Sequence, residues 1–173
     1  MTIAPDGLRV LGLLDRLHGR YGPQVFGQVM QRLLAAAFAR SGHKVTPNAV
    51  GVPDFTATKT TPPRGFGVEV KTTAEGTVVL SDRDLAGVMN CGHTPVVAFL
   101  DYPSDEPRWH FLDATSLRPG AFEPFRLKRK PKAILDFDAN EYFRFLLVEH
   151  HATAMDGTAA LEHALRTDAS RVT

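Results

Sequence analysis

Apolar positions recur at helical spacing in the first quarter of the chain. Over residues 6–20, Leu8, Leu11, Leu13 or Leu14, and Leu17 fall three or four apart, and Gly19 and Gly22 close the run. Pro23 stands where a first helical turn tolerates a missing N–H, and residues 24–41 then carry Val25, Val29, Leu33, Ala36 and Ala37 along one stripe. Gly42 is a natural stop. Two helices are therefore predicted, over 6–20 and 24–41.

The pattern then changes to short extended runs punctuated by Pro and Gly. Residues 43–46 end at Pro47, and residues 54–60, rich in threonine, end at Pro62-Pro63. Residues 66–73 alternate Phe66, Val68 and Val70 with Gly67, Glu69 and Lys71, the period of a half-buried strand. Arg64-Gly65 is expected to turn the second run into the third as a hairpin. Ser81 is a candidate N-cap, with Asp84 in the first turn of a helix ending near Asn90. Residues 94–101 hold a continuous apolar run from Val96 to Leu100, which suits a strand covered on both faces, and residues 108–113 suit a further strand. Residues 115–133 contain Pro119, Gly120, Pro124 and Pro131 and are expected to be irregular; 139–152 and 156–166 read as closing helices. The order of helix, three strands, helix, two strands and helical tail is a mixed α/β layer architecture. It fits one domain over 1–173, with a core at about 24–114, an N-terminal helix at 6–20 and a helical extension at about 133–168.

Composition narrows the classes of function. The apolar share of 43% and charged share of 23% are ordinary for a globular protein, and a net charge of +1 leaves no overall footprint of a polyanion partner. A nucleic-acid role would need basic residues gathered on one face. Cys91 is the single cysteine, which excludes an internal disulfide framework and a cysteine-built zinc site. Asp6 and Arg9 interrupt the first apolar stretch, and no uncharged run approaches the roughly 20 residues of a membrane span, so a cytoplasmic location is expected.

The residues that carry chemistry are Pro53-Asp54 and, after fourteen intervening positions, Glu69-Val70-Lys71. A strand sends alternate side chains to one face, so Glu69 and Lys71 project together while Val70 goes to the core. Asp54, on the hairpin partner, can face the same side. Two carboxylates within about 4 Å repel unless a cation lies between them, and magnesium takes one or two carboxylates and keeps several waters. Lys71 adds a point charge that can orient or help deprotonate a metal-bound water, or neutralise charge developing on phosphorus. Phosphodiester hydrolysis is the reaction class that uses this set. A Glu-X-Lys on a strand alone is commonly a solvated pair; the apolar strand, the Pro-Asp at hairpin distance and the upstream amphipathic helix distinguish this one.

With these residues in view, the chain resembles the PD-(D/E)XK nuclease superfamily, whose fold is the restriction-endonuclease-like core. The run from Gln31 to Asp113 is similar to the archaeal-type Holliday junction resolvases in "QRLLAAAFARSGHKV", "VPDFTA", "GVEVKTT", "VVLSDRDLAGV" and "TPVVAFLDYPSDEPRWHFLD", which together cover roughly half of the chain. The resemblance implies that Asp54 and Glu69 ligate Mg2+, for which Mn2+ substitutes, that the carbonyl of Val70 is a further ligand, and that Lys71 assists the attacking water. It further implies a magnesium-dependent endonuclease acting on branched or duplex DNA in recombination and repair, as a homodimer in which each subunit cuts one strand. Many such resolvases carry a Glu eleven residues before the Gly that ends the first helix; this chain has Gln31 there, sharing a face with Gln24 and Gln28. An amide oxygen of this stripe could orient a metal-bound water. Restriction or repair cleavage, a catalytically silent DNA-binding module and a structural protein with an accidental motif stay open as alternatives.

Arg126, Lys128, Arg129, Lys130 and Lys132 form the densest basic run, either a phosphate-tracking segment or a solvated loop. Lys44, Lys59 and Arg64 surround the motif in sequence and are candidates for further phosphate contacts. Of the seven histidines, His43, His93 and His110 stand alone, and His150-His151 diverge by about 100° on a helix, so their spacing gives no metal site. Trp109 reads as core rather than a base-stacking platform. Phe143, Leu146 and Leu147 line one side of a tail helix, as core or as a dimer face.

Overall fold

A computed structural model describes residues 6–48, 51–73, 76–123 and 134–171. The basic run from Arg126 to Lys132 lies outside the described residues.

Helix α1, Gly7–Arg40, is capped by Asp6, whose side chain accepts the Arg9 N–H at 2.8 Å. It is two helical segments joined at Gly22, whose φ of 69° and ψ of 176° leave the helical region where only glycine is unstrained. Pro23 then opens the second segment, as the sequence predicts. The buried stripe differs from the predicted one. Val10, Leu13, Leu14 and Leu17 are buried while Leu8 is exposed, and Phe26, Met30, Leu34 and Phe38 join Val29, Leu33 and Ala37, leaving Val25 and Ala36 at the edge.

Strands β1 (Lys44–Pro47), β2 (Phe55–Thr60) and β3 (Pro63–Thr73) form an antiparallel meander. The turn between β2 and β3 is Thr61-Pro62, not Arg64-Gly65, because Thr60 pairs with Pro63 and Lys59 with Arg64. Gly65 is inside β3 for a different reason: a Cβ there would lie 2.4 Å from His93 Nδ1. Gly67 likewise leaves room for Cys91, whose Sγ would stand 2.3 Å from an added Cβ.

After β3 come a short strand, β4 (Val78–Leu80), and helix α2 (Asp82–Met89), which crosses over to β5 (Thr94–Asp101); β6 (Arg108–Asp113) follows. β3 and β5 are parallel, β5 and β6 antiparallel, and the five-stranded sheet has the order β1-β2-β3-β5-β6. Within the stretch expected to be irregular, a 3-10 turn at Ala114–Ser116 precedes β7 (Gly120–Phe122), which pairs with β4 as a separate two-stranded sheet. Strands this short carry too few residues for a period of two to show.

Helices α3 (Ala139–Asp156) and α4 (Thr158–Arg171) close the fold. They pack with α1 on the sheet face carrying Phe66, Val68, Val96, Ala98 and Leu100. The opposite face, with Val97, Phe99 and Leu112, packs on Val88 of α2 and on Val78 and Leu80 of β4. β5 is therefore covered on both sides, as its unbroken apolar run predicts. Phe143, Leu146 and Leu147 are buried in the main cluster, so this stripe is core and offers no dimer face. Trp109 is also core, edge-on to Phe143 at 5.6 Å. The outer edge of β6 is occupied by Asn140, whose amide accepts the Trp109 N–H at 2.6 Å and donates to its carbonyl at 3.0 Å, as a strand would. Among the described residues no helix is long and apolar enough to cross a membrane.

Phe143 is fully buried between the sheet and the helical layer. Phe143→Ala should destabilise the chain by roughly 3–5 kcal/mol, read from urea unfolding midpoints at unchanged slope.

Candidate active site

The site is built where the β2–β3 ladder stops. Phe55 pairs with Val68, so the next opposed positions are Asp54 with Glu69 and Pro53 with Val70. Proline has no N–H to give, so the ladder cannot continue through Pro53. Its carbonyl is taken instead by the Asn48 side-chain amide, and the Asp54 carbonyl by the Asn48 N–H at 2.9 Å. The Val70 N–H, left without its strand partner, donates to Asp54 Oδ2 at 2.7 Å. In a strand the N–H and C=O of one residue point to the same side, so the Val70 carbonyl opens on the same gap with no strand donor. The Pro-Asp dipeptide thus ends the ladder and turns a carboxylate into the place it vacates.

Glu69 and Lys71 leave β3 on the α2 side of the sheet, as their alternation with Val68 and Val70 requires. Lys71 Nζ lies 2.9 Å from Glu69 Oε1 and 3.0 Å from Asp84 Oδ2. Asp84 is the residue that sequence reading missed as a site member. It has the third helical position of α2, where it closes a capping box: its N–H donates to Ser81 Oγ and its carboxylate accepts the Ser81 N–H. The Ser81-to-Asp84 spacing signalled a helix start; only the packing of α2 against β3 shows that the capping carboxylate also reaches Lys71.

Burial governs the protonation of this cluster. Glu69, whose side chain is 6% exposed, is pushed up to about 7 by desolvation first and by the Asp54 charge second, against the pull of Lys71. Asp54 is also raised by burial, moderated by the Val70 N–H and by Lys71. For Lys71, burial alone would favour the neutral amine, but the hydrogen bonds and charges of Glu69 and Asp84 outweigh it and hold the ammonium above its ordinary range. Asp84 feels the same competition: burial raises it, and Lys71 and Ser81 together bring it below the usual carboxylate value. The second oxygen of Glu69 is buried and makes no hydrogen bond. A buried carboxylate oxygen without a donor is costly, and a divalent cation is a partner of the right charge. Asp54, Glu69 Oε2 and the Val70 carbonyl therefore fit a hard cation. Asp84 does not join them: Asp54, Glu69 and Asp84 do not bring three oxygens within 4.8 Å of one another, so its partner is the ammonium.

The other predicted residues make no hydrogen bond or ion pair with this cluster among the described residues. Gln31 is on α1, which packs against the opposite face of the sheet, and among the described residues no hydrogen bond joins it to Asp54, Glu69 or Lys71. The helix meets β3 near the site through Gly27, where an added Cβ would lie 3.1 Å from Thr72 Oγ1. Lys59 and Arg64 are five residues along their strands from Asp54 and Glu69, about 16 Å at strand rise, and they point to the α1 side. Lys59 donates to the Ser41 carbonyl at 3.1 Å, and Arg64 is 3.7 Å from Asp136. Lys44 shares the face of Glu69 but sits on the outer strand, level with Thr58. Nearness in sequence overstated nearness in space, because a hairpin carries its turn away from its open end.

No model of a known protein family matches the chain, and no curated protein matches it.

Because Glu69 holds its proton more tightly folded than unfolded, its ionisation costs stability as pH rises from about 4.5 to about 7, and the cost is complete above that. In metal-free buffer, Glu69→Gln should gain on wild type across this window, levelling at roughly 2–3 kcal/mol by urea unfolding. Magnesium should narrow the gap by stabilising the wild type alone.

Proposed function

We propose that this chain is a magnesium-dependent endonuclease acting on DNA, of the PD-(D/E)XK type, with a restriction-endonuclease-like core. The observation that carries this reading is the unpartnered, buried oxygen of Glu69 beside the Asp54 carboxylate, with the Lys71 ammonium on the other oxygen. The element order around a mixed five-stranded sheet supports it. So does the sequence resemblance to archaeal-type Holliday junction resolvases.

In this reading Asp54, Glu69 and the Val70 carbonyl hold the ion, which when bound polarises the phosphate and makes water a stronger acid. The chain supplies the rest. Glu69, ionised and sharing its charge with the ion it would hold, would bind Lys71 less strongly, and the Lys71 ammonium would serve the phosphate oxygens on which charge develops. Asp84 then remains as the anchor of Lys71. A homodimer that cuts paired strands would need a surface other than the α3 stripe, which the core consumes.

With magnesium or manganese, purified protein is expected to cut DNA, and Lys71→Ala to lower the rate at least ~100-fold while leaving the circular dichroism spectrum intact. Equal cleavage by both proteins rejects the mechanism. Four-way junctions, flaps, single strands and linear duplex should be compared at one salt concentration, since affinity falls steeply with salt. Symmetric paired nicks confined to junctions support resolution; cutting at one short sequence in linear duplex points to restriction, and binding without cutting to a silent module.

Asp84→Asn keeps a capping acceptor but removes the charge that anchors Lys71. It should lower kcat by about 10–100-fold with little change in KM, and Asp84→Glu should recover part of the loss. An unchanged kcat in Asp84→Asn would confine Asp84 to capping.

A further inference from the structure

The core-facing stripe of α3 runs Phe143, Leu146, Leu147, His150 and Ala154. Four of these are apolar and one is an imidazole. His150 is 7% exposed, and its Nε2 is shut off from solvent without a hydrogen bond. Facing it at 2.8 Å is Oδ2 of Asp168, on α4, which is also buried and also makes no hydrogen bond. The two atoms are at ion-pair distance but out of line for a hydrogen bond, so the pair is poorly satisfied in a desolvated place. A shared cation relieves both. Tetrahedral ligands held about 2.0–2.1 Å from one ion stand roughly 3.4 Å apart, so a small opening of this pair would admit one.

A third ligand is at hand. Glu149, His150 and Asp168 each bring one ligand atom within 4.8 Å of the others. Glu149 is in turn held by Arg40 from α1, whose Nη1 lies 2.7 Å from Oε2. A ligating carboxylate that accepts a hydrogen bond from an outer residue is the usual second layer of a metal site. We propose that Glu149, His150 and Asp168 form a binding site for a divalent transition ion, zinc before the others, which ties α4 to α3 and α1. An imidazole with two carboxylates suits zinc, whereas magnesium and calcium prefer oxygen alone. Three protein ligands leave a fourth position for water. The spacing rule that set aside His150-His151 considered only sequence neighbours; the partner arrives from a different helix. This site belongs to the helical layer, on the other side of the sheet from Glu69, and stands independently of the nuclease reading.

The test uses the full chain carrying Asp54→Asn and Glu69→Gln, stripped with chelator, so that the first site takes no part. Zinc titrated by calorimetry is expected to bind at one ion per chain and to raise the melting temperature by about 5 °C at saturation. Adding His150→Gln or Asp168→Asn should weaken zinc binding at least tenfold and abolish the shift, and Glu149→Gln should weaken it less. Metal-free spectra of these variants matching their parent would separate lost ligation from lost fold, with the half-exposed Glu149 as the variant least able to disturb packing. Absence of zinc binding, undiminished binding after Asp168→Asn, or an equal shift with magnesium would each overturn the proposal.

Discussion

A carboxylate buried on a central strand has to be compensated, and Glu69 imposes that demand on the elements around it. It sits on β3, between β2 and β5, with its side chain almost wholly removed from water. One oxygen is met by Lys71 two residues along the same strand; the other is left without a donor. Placing an ammonium beside it is not enough, because Lys71 is itself partly buried and needs a second anion, which Asp84 supplies from α2. The result is a chain of charges in which each group is held by the next, from Asp84 through Lys71 to Glu69. Removing Lys71 would leave the buried Glu69 carboxylate without its cation, a larger loss than the pair was worth.

The strand that carries Glu69 also divides the molecule. It is antiparallel to β2 and parallel to β5, and its even positions face α1 while its odd positions face α2. Glycines at the odd positions 65 and 67 let residues 91–93 close down on β3 on the α2 side. Pro53, opposite Val70, ends the ladder at that same level. The geometry of the candidate site follows from a proline placed where a donor is missing.

Much of the fold was legible because its signals are local. The bounds of β5 and β6, the kink at Gly22-Pro23, the Ser81 cap and the shared face of Glu69 and Lys71 all follow from period, propensity and cap chemistry within a few residues. What was not legible depends on which element packs against which. Gly65 looked like a turn residue and proved to be a place of close approach to His93. Lys59 and Arg64 looked adjacent to the motif, yet lie at the turn end of the hairpin and on the opposite face. Asp84 looked like a cap and is also a partner of Lys71; His150 was weighed only against its neighbour His151 and faces a carboxylate eighteen residues further along the chain.

The exposure of the site groups orders the way a substrate would meet them. Lys71 and Asp84 are 24% and 20% exposed, while Glu69 is 6% exposed beneath them. An anion approaching the α2 face therefore meets the ammonium first, and only a small cation reaches the carboxylate behind it. The same gradient would keep Asp84 on Lys71 if Glu69 were drawn to an ion, since both members of the outer pair lie nearer solvent. The described basic residues at the far end of the hairpin are turned toward α1, so they cannot guide a duplex to this face. Attraction of a polyanion would then rest on Lys71, on Arg83 in the first turn of α2, and on Lys44 on the outer strand of the same face.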